Sequence, residues 1–218
     1  MYLPKIYIDR LFLALNEAGV SYILMKNIGN ELPDKLSIEK DVDIFVFPES
    51  KELFENTISS IGFKLIIHPF GKETGWIFAY GVDEFQFWQL EEDGYIFNVD
   101  VMFAISCRSM YPKVWMPLDK LINESTVKNK VFDELNGWWI MDEKNMLIYL
   151  IVRSVFDKSN FTPEYIPEIE KRKNLLSDEY VKSALGLVFF AFTPKLIELI
   201  QKGLYNSIVE EHITFKEY

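Results

Sequence analysis

The spacing of hydrophobic residues at the start of the chain predicts a helix, a strand and a long loop. Apolar residues recur at helical intervals over residues 5–18, and Gly19 follows at a position where helices often end. The short apolar run 21–25 predicts a strand, and the polar stretch 26–40, rich in turn-forming residues, predicts the loop that follows it.

Two later segments have apolar residues at every second position, and each carries aspartate on the opposite side. In residues 41–46, DVDIFV, Asp41 and Asp43 share one face of a predicted strand, because successive side chains of a strand point to opposite faces. In residues 95–103, YIFNVDVMF, Asp100 lies on the face opposite the apolar one. Both strands are therefore predicted to present carboxylates away from their apolar sides.

The remaining pattern predicts a mixed α/β fold followed by helices. Between the two acidic strands we expect a helix over 50–61 and strands over 63–67, 76–80 and 85–90. After Asp142 the spacing becomes helical, with segments ending near 156 and covering 164–174, 178–190 and 194–203. We expect an α/β domain over residues 1–141 and a helical subdomain over residues 142–218, with a seam near Trp138 and Trp139.

Composition narrows the class of protein. The 218 residues are 49% hydrophobic and 16% aromatic, which is enough to fill a core. The net charge of −10 argues against a protein that binds extended nucleic acid or an anionic membrane through a general positive field. The apolar run Leu187 to Phe192, even with its small neighbours, is too short to span a bilayer, and a single cysteine allows no internal disulfide. We expect a cytoplasmic protein without membrane contact.

The acidic residues point to a metal site. Asp41 and Asp43 present their carboxylates side by side, and Asp100 would complete a cluster if its strand is a neighbour in the sheet. Such oxygen ligands suit Mg²⁺ or Mn²⁺, and clustered carboxylates support metal-assisted phosphoryl chemistry. The alternative for the pair alone is a solvated strand end, which needs no metal.

The same segments resemble the nucleotidyltransferase superfamily. The sequences SYILMKNIGN, KDVDIFV and FNVDVMF follow in the order in which that superfamily places a first strand, an acidic pair on a second strand, and a third carboxylate on a later one. They are most similar to the group in which Leu-Lys-Gly ends the first strand, many members of which occur in polysaccharide or surface-sugar gene sets. Motifs support the resemblance over about residues 5–103. The helical tail resembles the superfamily only in its general type.

The resemblance implies roles for the matching residues. Asp41 and Asp43 would hold Mg²⁺, and Asp100 would hold a second ion or act as the base. Lys26, with Asn27, Gly29 and Lys40 in the loop that follows it, would bind the nucleotide.

The implied activity is Mg²⁺-dependent transfer of a nucleotidyl group from an NTP to the hydroxyl of a small acceptor, such as a sugar. Members of the superfamily usually carry Gly-Gly or Gly-Ser after the first strand, where this chain has Lys26-Asn27. That departure favours an alternative, a catalytically silent relative that binds a partner protein through the helical subdomain, as in a toxin–antitoxin pair. A metal-dependent phosphohydrolase is a further alternative.

A few other residues are candidates for chemistry. His68 and His212 are far apart in sequence, and with only Cys107 beside them they argue against a zinc site or a hydrolase triad. Lys72 in a glycine-rich stretch and Arg108 after the Asp100 strand are candidate anion-binding residues. Their alternatives are a solvated lysine and a surface salt bridge.

Overall fold

The structure is a computed structural model that describes residues 1–66, 85–109 and 114–216. The predicted strand over 76–80 and the candidate residues His68 and Lys72 lie outside these ranges.

Helices and strands follow the predicted order and add several short elements. The α-helices are α1 Lys5–Glu17, α2 Lys51–Ser60, α3 Lys120–Lys128, α4 Glu143–Val152, α5 Tyr165–Arg172, α6 Glu179–Phe189, α7 Thr193–Gln201 and α8 Tyr205–Thr214. The strands are β1 Tyr22–Leu24, β2 Asp41–Val46, β3 Lys64–Ile66, β4 Gln86–Glu92, β5 Tyr95–Met102, β6 Ser106–Arg108, β7 Trp115–Pro117, β8 Val131–Asp133 and β9 Trp138–Ile140.

Seven of these strands form one mixed sheet in the order β3-β4-β5-β2-β1-β9-β8, and β6 pairs with β7 separately. The pairs β2 with β5 and β1 with β9 are parallel, whereas the other pairs in the sheet are antiparallel. The predicted fold class, a mixed sheet with flanking helices followed by a helical part, is confirmed.

Local sequence explains where the predicted elements begin and end. Gly19, just after α1, has φ of +74°, a conformation that glycine adopts without steric cost. The Asp142 side chain accepts a hydrogen bond from the Asn145 backbone N–H at the start of α4, which satisfies a donor that a helix N-terminus leaves open. Asp93 and Gly94, both with positive φ, turn β4 into β5.

The sheet buries both of its faces, each against a different group of helices. One face packs on α1 and α2, and its buried residues include Val42, Ile44, Val46, Phe97, Val99 and Val101. The other face packs on the C-terminal helices, and its buried residues include Phe45, Phe47, Phe87 and Met102. Alternation in β2 and β5 therefore separates two apolar cores, and the face that carries the aspartates becomes apolar further along β2.

The C-terminal part contains one stretch with the composition of a membrane span. Counted as a single helix, the 23 residues Glu179–Gln201 have a mean hydropathy of 1.6 over the most apolar window, and 44% of that window is buried. In the structure α6 and α7 divide this stretch at Phe190, where φ is +48° and ψ is −130°. A buried helix of a protein core has the same composition, so the stretch is weak evidence for a span. The absence of membrane contact stays a prediction, as does the domain division at residue 141.

Candidate functional site

The three aspartates converge because their strands are parallel neighbours. Asp43 in β2 lies in register with Asp100 in β5, and Asp41 lies two residues earlier on the same face of β2. Each of the three carboxylates offers an oxygen, and these oxygens lie within 4.8 Å of one another. The predicted convergence is found. The role of Asp41, Asp43 and Asp100 as metal ligands stays a prediction.

Burial and the close approach of the three carboxylates shift the pKa of Asp100. Burial raises the pKa of Asp100 to about 9, and a hydrogen bond with Asp41 and the negative charge of Asp43 add to that effect. Asp100 therefore carries a proton at neutral pH when no cation is bound. A set of three hard oxygen donors, one of them kept neutral by its neighbours, fits a divalent cation, since a cation would replace the proton as the balancing charge.

Lys26 at the end of the first strand forms an ion pair with Asp43. The two side chains are 23% and 11% exposed, so water screens the pair only weakly. Burial opposes the charge of Asp43, but Lys26 and then Arg153 outweigh it and lower the pKa of that carboxyl below its ordinary value. The predicted nucleotide-binding lysine therefore points at the aspartates and neutralises one of them.

The loop after Lys26 is organised by an asparagine side chain. The Asn27 amide donates to the Leu32 carbonyl, and its side-chain oxygen accepts from the Leu32 backbone N–H, at 3.2 and 3.0 Å. Gly29 has φ of +72°, and a Cβ atom at that position would meet no atom within 4 Å. Glycine is therefore favoured at position 29 by backbone conformation and not by close packing against protein. Lys40 forms an ion pair with Glu31 across the same loop.

Two cavities meet at the aspartates. The larger, about 530 Å³, lies between the loop after β1 and the segment that leads into α5. Its walls include Lys26, Asn27, Gly29, Lys40, Asp41, Asp43, Lys158 and Tyr165. The smaller, about 130 Å³, is lined by Asp41, Asp43, Phe85, Phe87, Asp100, Val101, Met102, Trp115 and Arg153. Every predicted site residue borders one of these cavities.

Arg153, which the sequence analysis did not identify, lies in the wall of the smaller cavity with the aspartates. It begins a π-helical turn, Arg153–Asp157, that directly follows α4. Its Nη1 donates to the Tyr149 hydroxyl at 2.7 Å and lies 4.0 Å from a carboxylate oxygen of Asp157. The available signal was an arginine inside an otherwise apolar helical run, IYLIVRSVF, because a buried charge in such a run needs a partner.

Arg108 and two aromatic side chains take structural places. The Arg108 backbone N–H donates to Asp157, and its guanidinium lies 5.5 Å from the centre of the Trp115 ring. Trp88 is 4% exposed within the core, and Tyr95 packs against Tyr7. Arg108, Trp88 and Tyr95 line neither of the two cavities at the aspartates.

Comparisons with known proteins give only distant likenesses. No family model matches the chain, and no curated protein matches it. The solution structure of the antibiotic-resistance factor ANT(2'')-Ia is 8% identical over 93% of this chain and 97% of its own, with a TM-score of 0.47. A crystal structure of ANT(2'')-Ia with adenylyl-2''-tobramycin is 10% identical over 83% and 93%, with a TM-score of 0.45.

A Thermotoga maritima protein named as a candidate nucleotidyltransferase is 17% identical over 65% of this chain and 80% of its own, with a TM-score of 0.38. At these TM-scores the likenesses establish neither a family nor a function.

Proposed function

We propose that this protein transfers a nucleotidyl group from an NTP to the hydroxyl of a small acceptor. The observation that carries the proposal is the carboxylate cluster. Asp41, Asp43 and Asp100 bring three oxygens within 4.8 Å of one another on two parallel strands, where two cavities meet. Phosphoryl transfer depends mostly on positioning and on charge stabilisation, which such a cluster supports.

The donor set fits Mg²⁺ or Mn²⁺. Asp41 and Asp43 would hold a divalent cation. Asp100 would hold a second one or, once the bound cation has displaced its proton, accept the proton of the acceptor hydroxyl. When bound, the cation offsets phosphate charge and polarises the phosphoryl group that is transferred. Lys26 already balances one carboxylate, so Asp43 remains ionised and available as a ligand.

The larger cavity has the size for a nucleotide. Its volume, about 530 Å³, lies within the range of small-molecule sites, roughly 300–1,000 Å³. Three lysines, Lys26, Lys40 and Lys158, contribute cations to its walls, which also carry the acidic residues Glu31, Asp41, Asp43, Glu164 and Glu168. A triphosphate in this cavity therefore needs a bound divalent cation, in addition to the lysines, to offset the repulsion. The turn at Gly29 places the loop beside the lysines. The proposed nucleotide site thus consists of the loop on one side and the approach to α5 on the other.

The smaller cavity suits part of an acceptor. About 130 Å³ accommodates a group of a few heavy atoms, and Asp100 lines this cavity but not the larger one. Phe87 and Trp115 give it apolar walls against which the carbon face of a sugar can pack. We therefore place the acceptor hydroxyl here, on a small molecule such as a sugar.

A catalytically silent binding module is the second candidate. Two observations favour it. Lys26 already forms an ion pair with Asp43. Asn27, at a position where the superfamily usually has glycine, forms side-chain hydrogen bonds to the Leu32 backbone across the loop. Such a protein would bind neither NTP nor a divalent cation at the aspartates.

The deciding experiment incubates the full chain with each of the four NTPs and Mg²⁺ or Mn²⁺, with and without a pool of sugars. Pyrophosphate release and direct NTP binding are measured in parallel. We expect NTP binding that needs the cation, and pyrophosphate once an acceptor is present. The double variant Asp41→Asn with Asp100→Asn should lose both.

The matched control is Asp9→Asn, which removes one exposed carboxylate from α1, remote from both cavities. Release of orthophosphate instead of pyrophosphate would identify a phosphohydrolase. Absence of NTP binding in the wild-type protein would identify the silent module.

A further inference from the structure

Arg153 is held in place without using its full hydrogen-bonding capacity. Its side chain is 15% exposed, and both contacts described above, to Tyr149 and Asp157, are made by Nη1. Its Nε is buried and has no hydrogen-bond partner within the described residues. The Nε atoms of Arg10 and Arg108 are also buried without a partner among the described residues, but neither of those arginines lines a cavity at the aspartates. A buried N–H without an acceptor costs free energy, so in a cavity wall it favours a bound group that the described residues do not supply.

The surroundings of Arg153 select an anion. Guanidinium groups bind phosphate oxygens through pairs of N–H donors, and this geometry is more specific than that of an ammonium group. Asp157 lies 4.0 Å from Nη1. Asp41, Asp43 and Asp100 line the same cavity as Arg153, yet none of them forms an ion pair with it within 4.0 Å. The guanidinium therefore lies beside the aspartate cluster without being paired to it.

The backbone at Arg153 is also unusual. The π-helical turn Arg153–Asp157 inserts extra residues into the helical ladder directly after α4, and such turns often occur at functional sites because they redirect a side chain. Here the turn places Arg153 beside the strands, while Asp157 reaches back to the Arg108 backbone N–H and fixes the turn. Tyr149, one helical turn earlier, holds the guanidinium from the other side.

We propose that Arg153 binds a non-bridging oxygen of the phosphoryl group that is transferred, opposite Lys26 across the aspartates. This inference rests on the proposed function, since it needs an NTP at the site. Lys26 approaches Asp43 from the larger cavity, and Arg153 approaches the cluster from the smaller one. A phosphoryl group at the junction of the two cavities is thereby flanked by one cation from the sheet and one from the helical part.

The test measures the Kd of α,β-methylene NTPs, which cannot transfer their nucleotidyl group, with Mg²⁺ by calorimetry. Arg153→Lys keeps a positive charge but loses the paired donors, and we expect it to raise the Kd about tenfold to a hundredfold. Tyr149→Phe removes only the group that holds the guanidinium and should raise the Kd about threefold. Arg10→Lys, which alters an arginine paired with Glu92 on the far side of the sheet, is the matched control and should leave the Kd unchanged.

Thermal unfolding of each variant separates binding from folding. If Arg153→Lys lowers the melting temperature but leaves the Kd at the wild-type value, Arg153 is a structural residue and the inference is wrong while the proposed function stands. If the wild-type protein binds none of the four analogues, the proposed function fails and the inference fails with it. A raised Kd together with a melting temperature within a few degrees of wild type supports the inference.

Discussion

Asp43 and Asp100 lie opposite each other in the sheet, yet their surroundings favour opposite protonation states. Lys26 and Arg153 keep Asp43 ionised, whereas burial and two neighbouring carboxylates keep Asp100 protonated. Two adjacent carboxyl groups that differ in this way can take different roles. Asp43 can bind a cation without losing a proton, whereas Asp100 must release its proton when it binds one.

Asp100→Asn is expected to stabilise the protein in the presence of a chelator. The Asp100 pKa rises from 3.8 to about 9 on folding, so between these pH values the folded protein holds a proton that the unfolded chain has released. Stability from this group is therefore lost as pH rises from about 4 towards about 9. The variant should melt a few degrees above wild type at neutral pH and show a flatter profile of melting temperature against pH. Equal profiles for the two proteins would contradict the burial of this carboxyl.

Asp43→Asn is expected to act in the opposite direction. It leaves the partly buried Lys26 without its anionic partner, so we expect a loss of stability on the order of 2 kcal/mol, together with loss of Mg²⁺-dependent NTP binding. Adding Lys26→Met should recover part of the stability but not the binding. Chemical denaturation of wild type, the two single variants Asp43→Asn and Lys26→Met, and the double variant measures the coupling energy between the two side chains. Additive losses would show that the ion pair contributes nothing.

The sequence alone predicted the cluster but not this difference between its members. The acidic pattern alone predicts that removing Asp43 relieves repulsion and leaves stability unchanged or improved. The ion pair with Lys26 reverses that expectation. Alternation in two segments was sufficient to place the three aspartates on one face, because the period of a strand is fixed. Which carboxylate has a cation beside it depends on Lys26 and Arg153, and Arg153 comes from a helix more than 100 residues later in the chain.

At the scale of elements, the break between α6 and α7 is the least regular feature of the helical part. Phe190 has φ of +48° and ψ of −130°, a region that residues with a Cβ rarely adopt, and its ring is 66% exposed. Phe189, directly before it, and Phe192, two residues after it, are fully buried. The chain accepts an unfavourable backbone at one position, and this allows both flanking rings to enter the core.

Phe190→Gly is therefore expected to stabilise the protein by about 1 kcal/mol, because glycine removes the backbone strain and little buried surface is lost. This corresponds to an increase in melting temperature of roughly 2–4 °C for a chain of this size. Phe192→Gly serves as the control and should destabilise by more than 3 kcal/mol, since that ring is buried. A lower melting temperature for Phe190→Gly would show that the exposed ring makes contacts that outweigh the strain.

Long periodic elements were predictable from sequence, and most short ones were not. The segments predicted as α1, α2, α4 to α7 and β1 to β5 are present, with ends displaced by a few residues. The short strands β1 and β3 were predictable because each lies in a longer apolar run. The elements β6 to β9, α3 and α8 were not predicted. Strands of three residues show too little alternation to be distinguished from loops, and only pairing with distant partners, such as Val131 of β8 with Ile140 of β9, defines them.

At the scale of the whole molecule, the candidate site joins two parts of the chain that are far apart in sequence. The loop after β1 forms one wall of the larger cavity, and residues 162–168, which lead into α5, form the other. Asp41 and Asp43 of the sheet line this cavity as well. A nucleotide in it would contact both walls together, and its binding free energy would link the sheet to the helical part.

This arrangement predicts the pattern of hydrogen exchange on ligand binding. With saturating Mg²⁺ and the NTP that binds best, backbone amides of residues 26–32 and 162–168 should both exchange more slowly, because a ligand that bridges two walls suppresses the local opening of each. The β8–β9 turn at residues 134–137, which borders neither cavity at the aspartates, should exchange at the same rate with and without ligand. The intact chain is labelled in deuterated buffer and then digested with pepsin. Mass spectrometry of the peptides measures all three segments in one experiment. Protection of residues 26–32 alone would place the nucleotide on the sheet without the helical part, and the larger cavity would then not be the nucleotide site.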